Sequence, residues 1–120
     1  MKRLGEMIIP PSREGKEKHV PVIEAPKEVK KGEWFNVKVT VGKEIPHPNT
    51  VEHHIKWVKA FVDEGAGINV ANFEFGPAYA EPMVTFKMKL EKPGRRMLYA
   101  LSYCNIHGLW DNGVEIEVKE

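Results

Sequence analysis

The sequence contains a single cysteine, Cys104, among its 120 residues. One cysteine excludes an internal disulfide and any metal site built only from thiolates of this chain. Long apolar runs are also missing, because none approaches the roughly 18 residues that a membrane-spanning helix needs. Near the N-terminus the only apolar run is 7–9. Such a run is too short for the core of a signal peptide, and we therefore expect a cytoplasmic protein.

An excess of charge of one sign is absent as well. The sequence contains 18 Lys and Arg residues and 17 Asp and Glu residues, which gives a formal net charge of +1. This balance argues against a general nucleic-acid or membrane-surface footprint. The length is enough for one domain with a packed core and too short for two. We predict a single domain over 1–120, in which 1–14 form an N-terminal arm.

Extended helical periodicity is missing after the arm, and apolar residues instead alternate with polar ones. In WFNVKVTV, for example, Phe35, Val37, Val39 and Val41 share one parity. Segments of this kind recur at a spacing that is typical of a sandwich of two antiparallel sheets. The pattern therefore predicts an all-β, immunoglobulin-like antiparallel β-sandwich of about seven strands. The predicted strands are 19–24, 34–41, 52–64, 69–76, 82–90, 95–104 and 114–118.

Three local features predict how some of these strands are arranged. Pro21 has no N–H to donate, so it indicates an edge strand. The segment 95–104 is apolar on both parities, as a central strand covered on both sides would be. Pro93 and Gly94 indicate a hairpin between the strands that flank them.

The stretch SYCNIHGLW (102–110) combines Cys104 with His107. A tight turn brings two side chains at this spacing to the same side, so that both can bind one metal ion. Cys-x-x-His is a weak signal alone, because it also occurs in zinc and copper sites and by chance.

The positions of the other histidines strengthen this signal. His47 lies between Pro46 and Pro48, which limit the conformational entropy that the loop loses when it becomes ordered. His19 stands at the beginning of the first predicted strand. Each has an ordinary alternative interpretation, His47 as part of a well-formed turn and His19 as an exposed residue.

His53 and His54 are neighbours on a predicted strand, so their side chains should point to opposite faces. His53 shares the parity of Ile55, Trp57 and Phe61, and this predicts that His53 points toward the packed side. A single inward histidine is more often a hydrogen-bonded core residue than a ligand. Whether His53 is interpreted as a metal ligand therefore depends on the other candidate donors.

Four candidate imidazoles and one thiolate exceed the four ligands of a structural zinc site. They suit iron better, with one position left for a small ligand. Two alternatives stay open: a blue-copper-type electron-transfer protein, and a metal-stabilised immunoglobulin-like binding module. A copper site usually adds a weak methionine after its cysteine, and no methionine follows Met97 here. Structural zinc leaves one of the five donors unexplained.

Three segments of the chain carry a resemblance when they are taken together. They are EKHVP (17–21), IPHPNTVEHHI (45–55) and SYCNIHGLW (102–110). In this order they resemble the one-iron class of superoxide reductases, also called neelaredoxins, and the iron domain of desulfoferrodoxins. The resemblance spans 15–119.

The resemblance implies one mononuclear non-haem iron per chain, which changes between the ferrous and ferric states. The sixth position is open to substrate, and Glu17 occupies it only in the ferric state. Lys18 attracts superoxide and supports protonation of the product, so Glu17 and Lys18 are the implied catalytic residues. The implied metal ligands are His19, His47, His53 and His107 in a square plane, the last through Nδ1, with Cys104 axial.

The implied function is one-electron reduction of superoxide to hydrogen peroxide, as part of oxygen detoxification. A superoxide dismutase is a further alternative, although a thiolate ligand favours the reductive half of that chemistry. The resemblance also implies rubredoxin or a similar small electron donor and a homo-oligomer, either a dimer or a tetramer. Leu109 and Trp110 beside the cysteine are candidates for an apolar docking patch or for core packing under the loop.

Overall fold

The computed structural model describes all residues, 1–120, and contains eight strands in two sheets. A short helix and one 3₁₀ turn precede them in the arm. The elements are α1 (Leu4–Met7), the 3₁₀ turn (Pro11–Arg13), β1 (Pro21–Glu24), β2 (Glu28–Lys30), β3 (Phe35–Val41), β4 (Ile55–Asp63), β5 (Gly67–Glu74), β6 (Met83–Met88), β7 (Gly94–Cys104) and β8 (Gly108–Lys119).

The two sheets form the predicted β-sandwich. The smaller sheet has the order β1-β3-β6 and the larger has the order β2-β8-β7-β4-β5. This order confirms that the strand containing Pro21 lies at an edge and that β7 is central. The short strand β2 was not predicted, because three residues are too few to show an alternation. This strand pairs with β8 in parallel, whereas the other pairs are antiparallel.

The core lies between the sheets and contains 17 buried residues from both. Val37 and Val39 of β3 face this core together with Leu98 of β7 and Ile116 of β8. The parity predicted for β3 is confirmed, since its alternate apolar residues are buried. Each such side chain stabilises the fold by about 1.5–3 kcal/mol. The core thereby provides a rigid support for the loops at the ends of the strands.

The inward parity predicted for the strand 52–64, which corresponds to β4, is wrong beyond Ile55. The pairing of β4 with β7 shifts register between Ile55 and Trp57. After this bulge Val58 and Val62 are buried, whereas Trp57 and Phe61 are only half-buried. A β-bulge adds one residue to a strand and reverses the faces of those that follow, and an alternation pattern does not show it in advance.

The hairpin predicted at Pro93 and Gly94 is wrong, because these residues connect β6 of one sheet to β7 of the other. A true hairpin joins β7 to β8, and its register pairs Cys104 with Gly108. Gly108 has a φ of +83°. Glycine adopts this left-handed conformation without the strain that a side chain would add. The segment that contains Cys104 and His107 is therefore a hairpin turn at one end of the sandwich.

The N-terminal arm is attached to the same end of the sandwich. Ile9 forms an isolated parallel bridge with Trp110 at the start of β8. The N–H of Ile9 donates to the carbonyl of Leu109 at 2.9 Å, and the N–H of Asp111 donates to the carbonyl of Ile9 at 3.2 Å. The arm thus continues the pairing of the large sheet beside the hairpin turn. No helix of this fold has the length and apolar character needed to cross a membrane.

Candidate metal centre

Three separate segments converge at one end of the sandwich. They are the segment that leads into β1, the loop between β3 and β4, and the turn between β7 and β8. Their candidate donor atoms form two overlapping groups, and within each group all atoms lie within 4.8 Å of one another. One group contains His19, His53, Cys104 and His107, and the other contains Glu17, His19, His47 and His53.

The carboxylate oxygen Oε1 of Glu17 lies almost equally far from four imidazole nitrogens. The distances are 2.9 Å to Nε2 of His19, 3.3 Å to Nε2 of His47, 3.0 Å to Nε2 of His53 and 3.1 Å to Nδ1 of His107. Two ligand atoms at right angles, each about 2.1 Å from one ion, lie about 3.0 Å apart. The four distances are therefore those expected between this oxygen and neighbouring ligands of one ion.

Unpaired atoms support the same interpretation. Oε1 of Glu17, Nε2 of His47 and Nε2 of His53 are buried and have no hydrogen-bond partner. Buried polar atoms are almost always paired, so a cation among these three accounts for them. Nε2 of His19 lies 3.1 Å from Nδ1 of His107, the spacing of adjacent ligands. These residues fit an iron ion.

Cys104 adds a sulfur donor to the four imidazoles. It is fully buried at the end of β7, opposite Gly108 of β8. Its Sγ lies 3.9 Å from Nδ1 of His107 and accepts a hydrogen bond from the backbone N–H of His107 at 3.4 Å. Hydrogen bonds to a ligating sulfur tune the reduction potential of the metal. A set of four nitrogens and one sulfur differs from the donor set of a blue-copper site.

His19 is held from three sides. Its ring stacks on Trp110, with centroids 4.6 Å apart and planes 10° apart. Its carbonyl accepts a hydrogen bond from Oγ of Ser102 at 2.8 Å, and its N–H donates to Oε2 of Glu14 at 2.8 Å. Trp110 is only 7% exposed, and its Nε1 donates to the carbonyl of His107 at 3.2 Å. Core packing is therefore the correct interpretation of Trp110.

Two residues that support His19, Glu14 and Ser102, were not predicted from the sequence. Ser102 lies within the recognised motif SYCNIHGLW, but nothing in its spacing indicates a bond to a residue 83 positions away. Glu14 belongs to a charged segment in which no pattern distinguishes one carboxylate from another.

Local hydrogen bonds orient the histidines of the loop between β3 and β4. Nδ1 of His47 donates to the carbonyl of Pro48 at 2.6 Å, which directs Nε2 toward the other donors. The backbone N–H of His53 donates to Oγ1 of Thr50 at 3.0 Å. His53 thus reaches the site from a loop, rather than from the regular strand that the sequence predicted.

His54 is buried but lies outside the cluster of donors. Its Nδ1 donates to the carbonyl of Thr50 at 3.0 Å. Its backbone N–H donates to Oδ1 of Asn105 at 2.9 Å, and Nδ2 of Asn105 donates to the carbonyl of Glu52 at 2.9 Å. His54 and Asn105 therefore tie the histidine loop to the cysteine turn.

Burial and charge set the protonation of the site. Desolvation lowers the pKa of His19 and His47, although Glu17 opposes the shift for His19 and the bond to Pro48 opposes it for His47. A neutral imidazole is the form that binds metal. Desolvation raises the pKa of Glu17, but the positive charges that the four surrounding histidines carry when protonated together outweigh it, and the pKa lies below its ordinary value. Glu17 is consequently an ionised carboxylate.

Lys18 is not brought together with the other predicted site residues. Its Nζ lies 3.8 Å from Oε1 of Glu14 and donates to the carbonyl of Gly15 at 3.3 Å. It lines a cavity of about 270 Å³ together with Glu14, Val20 and Lys43. The structure therefore directs Glu17 toward the histidines and Lys18 into this neighbouring cavity.

Known proteins resemble this chain over most of its length. Residues 12–113 match the family model described as Desulfoferrodoxin. A superoxide reductase from Pyrococcus furiosus is 51% identical, with 84% of this chain and 90% of that protein covered. A neelaredoxin from Megalodesulfovibrio gigas is 43% identical, with 86% of this chain and 89% of that protein covered.

A solved structure shows the same similarity in three dimensions. The neelaredoxin-type superoxide reductase from Ignicoccus hospitalis is 43% identical and superimposes with a TM-score of 0.89. The alignment covers 98% of this chain and 100% of that one. Family model, sequence relatives and solved structure agree, and this chain belongs to the desulfoferrodoxin family of superoxide reductases and neelaredoxins.

Proposed function

We propose that this protein reduces superoxide to hydrogen peroxide at a mononuclear non-haem iron in this centre. The observation that carries the proposal is that four imidazole nitrogens lie 2.9–3.3 Å from one carboxylate oxygen, and that the sulfur of Cys104 lies within 4.8 Å of three of them. The names of the relatives supply the substrate. One superoxide, one electron and two protons give one hydrogen peroxide. Iron held by this donor set would supply the electron as it passes from the ferrous to the ferric state.

Four imidazoles and one thiolate would hold the iron. The thiolate of Cys104 would donate electron density to it. The carboxylate of Glu17 faces the four imidazole nitrogens, and its side chain is 35% exposed, so it can withdraw toward solvent when substrate enters. The imidazoles that would bind the iron are His19, His47, His53 and His107.

We propose that Lys18 attracts the superoxide anion and holds a proton for the product. A cation near an open anion-binding site raises the encounter rate and stabilises the bound charge. Nζ of Lys18 is now paired with Glu14 and the carbonyl of Gly15. It must therefore turn toward the histidines during each cycle, while Glu17 moves the other way.

We also propose an electron donor, an assembly and a location for this protein. A small carrier such as rubredoxin could deliver its electron at His107, whose side chain is 45% exposed and stands next to Ile106, itself 57% exposed. We further propose a homo-oligomer, either a dimer or a tetramer, and a cytoplasmic location. Light scattering tests the assembly, and cell fractionation tests the location.

The stoichiometry of superoxide consumption tests the proposed activity. The iron-loaded protein is supplied with superoxide and with a measured number of electrons from a reduced carrier, while dissolved oxygen is recorded. A reductase consumes one superoxide for each electron and releases no oxygen. Oxygen release at one molecule per two superoxides, without use of the carrier, would instead indicate a dismutase.

A further inference from the structure

The side chain of Glu14 closes a ring in the chain just before β1. Its Oε2 accepts the backbone N–H of His19 at 2.8 Å and that of Val20 at 2.6 Å. These donors lie five and six positions after Glu14 itself. The carboxylate therefore joins the end of the segment 14–19 to its beginning.

Both ends of this ring are fixed by other contacts. The N–H of Glu14 donates to the carbonyl of Pro11 at 3.1 Å, within the 3₁₀ turn of the arm. At the other end the carbonyl of His19 accepts the bond from buried Ser102. Gly15 within the ring has no heavy atom within 4 Å of the position of an added Cβ. The ring thus has open space beside Gly15.

The second oxygen of the same carboxylate faces Lys18. Oε1 of Glu14 lies 3.8 Å from Nζ of Lys18, whose side chain is partly exposed. Together they line the cavity of about 270 Å³ described above, in which Glu44 is a further acidic residue. A partly exposed ion pair of this length is weak, so Lys18 can leave it readily.

We propose that Glu14 is a positioning residue with two separable actions. As a hydrogen-bond acceptor it closes the ring and fixes the backbone of His19. As a negative charge it retains Lys18 in the outer cavity, away from the metal centre. The second action rests on the proposed function, because it regulates the residue that attracts superoxide.

Two substitutions separate these actions. Glu14→Gln keeps a carbonyl oxygen that can accept both N–H groups, but it removes the charge that attracts Lys18. Glu14→Ala removes both. Glu44→Gln is the matched control, because it removes one negative charge from the same cavity and Glu44 makes no ion pair with Lys18.

Hydrogen exchange of the amides of His19 and Val20 measures ring closure in the iron-loaded protein. We expect native-like protection in Glu14→Gln and roughly tenfold faster exchange in Glu14→Ala, the factor for losing one typical hydrogen bond. We also expect Glu14→Ala to lose iron to a chelator faster than Glu14→Gln. Equal exchange in the native protein and Glu14→Ala would overturn the ring, and so would Glu14→Gln exchanging as fast as Glu14→Ala.

The rate of superoxide capture at low salt measures the retention of Lys18. We expect Glu14→Gln to react several-fold faster than Glu44→Gln, and we expect this gain to disappear when Lys18→Ala is added. Equal rates in Glu14→Gln and Glu44→Gln would overturn the retention of Lys18. If the native protein failed to reduce superoxide, the proposed function would fail, while amide exchange would still test the ring.

Discussion

The indole of Trp110 lies flat on the imidazole of His19, with ring centroids 4.6 Å apart and planes 10° apart. The same indole donates from Nε1 to the carbonyl of His107. Trp110 also bridges to Ile9 through its backbone. One buried residue thus connects two proposed ligands and the N-terminal arm, so the order of the metal centre depends on the packing beneath it.

Replacing Trp110 should loosen the centre in two steps. Trp110→Phe keeps an aromatic face for His19 but loses the hydrogen bond to His107, at a cost of about 1 kcal/mol. Trp110→Leu also loses the stack and much buried surface, and we expect a loss of roughly 3 kcal/mol. Urea denaturation measures the free energy of unfolding, and transfer of iron to a chelator measures retention. Equally fast iron release from both variants would show that the stack does not hold His19.

Ser102→Ala should destabilise the fold through the backbone of His19. The hydroxyl of Ser102 is fully buried, and its removal leaves the carbonyl of His19 without this donor, at a cost of about 1–3 kcal/mol. Thr40→Val is the matched control, because Oγ1 of Thr40 is buried without a partner. Its removal should be neutral or slightly stabilising in the same urea titration. Equal destabilisation by the two substitutions would contradict this account of Ser102.

Glu17→Ala and Lys18→Ala should have different effects on the centre. Only Glu17 faces the imidazole nitrogens, so its removal should change the visible spectrum of the ferric protein while iron content stays the same. Lys18→Ala should leave that spectrum intact and slow the capture of superoxide. Loss of colour in Lys18→Ala would mean that Lys18 supports the structure of the site. An unchanged ferric spectrum in Glu17→Ala would remove Glu17 from the ligands.

Asp111→Asn should stabilise the protein at neutral pH. Burial raises the pKa of Asp111 above its ordinary value of 3.8, although a weaker bond to its own backbone opposes this. Between the ordinary value and the raised one, the folded state binds more protons than the unfolded state. Stability therefore falls as pH rises through that window, and the loss persists above it.

The asparagine variant avoids this loss, so its advantage should be present at pH 7 and disappear below the ordinary pKa. Thermal unfolding at several pH values measures the difference. Glu33→Gln, at an exposed position, is the control and should show no comparable gain. A less stable Asp111→Asn at pH 7 would show that the charged carboxylate is favourable where it lies.

Much of the fold could be predicted because its strands alternate regularly. β3 illustrates this, since each of its inward residues was identified from parity alone. The prediction failed where the backbone departs from regular pairing. The bulge after Ile55 reversed the faces of β4, and Pro93 and Gly94 mark a crossing between sheets because their partners are set by the whole topology. β2 owes its pairing to β8, a partner distant in sequence.

The candidate site was predictable to the extent that its residues lie in recognisable motifs. Cys104 and His107 share one turn, and the prolines beside His47 mark a rigid loop. The placement of Lys18 was not predictable, because its ion-pair partner Glu14 lies four positions away in a charged segment without regular structure. A local ion pair in such a segment leaves no periodic trace in a sequence.

Metal analysis of the purified protein, combined with the visible spectra of the native chain and of Cys104→Ser, tests the central claim most directly. We predict a single iron per chain and a thiolate-to-iron absorption band in the oxidised native protein. This band should bleach on reduction and be absent from Cys104→Ser. Full occupancy by copper or zinc, or an iron protein whose spectrum is the same with Ser at position 104, would contradict a centre of four histidines and one thiolate.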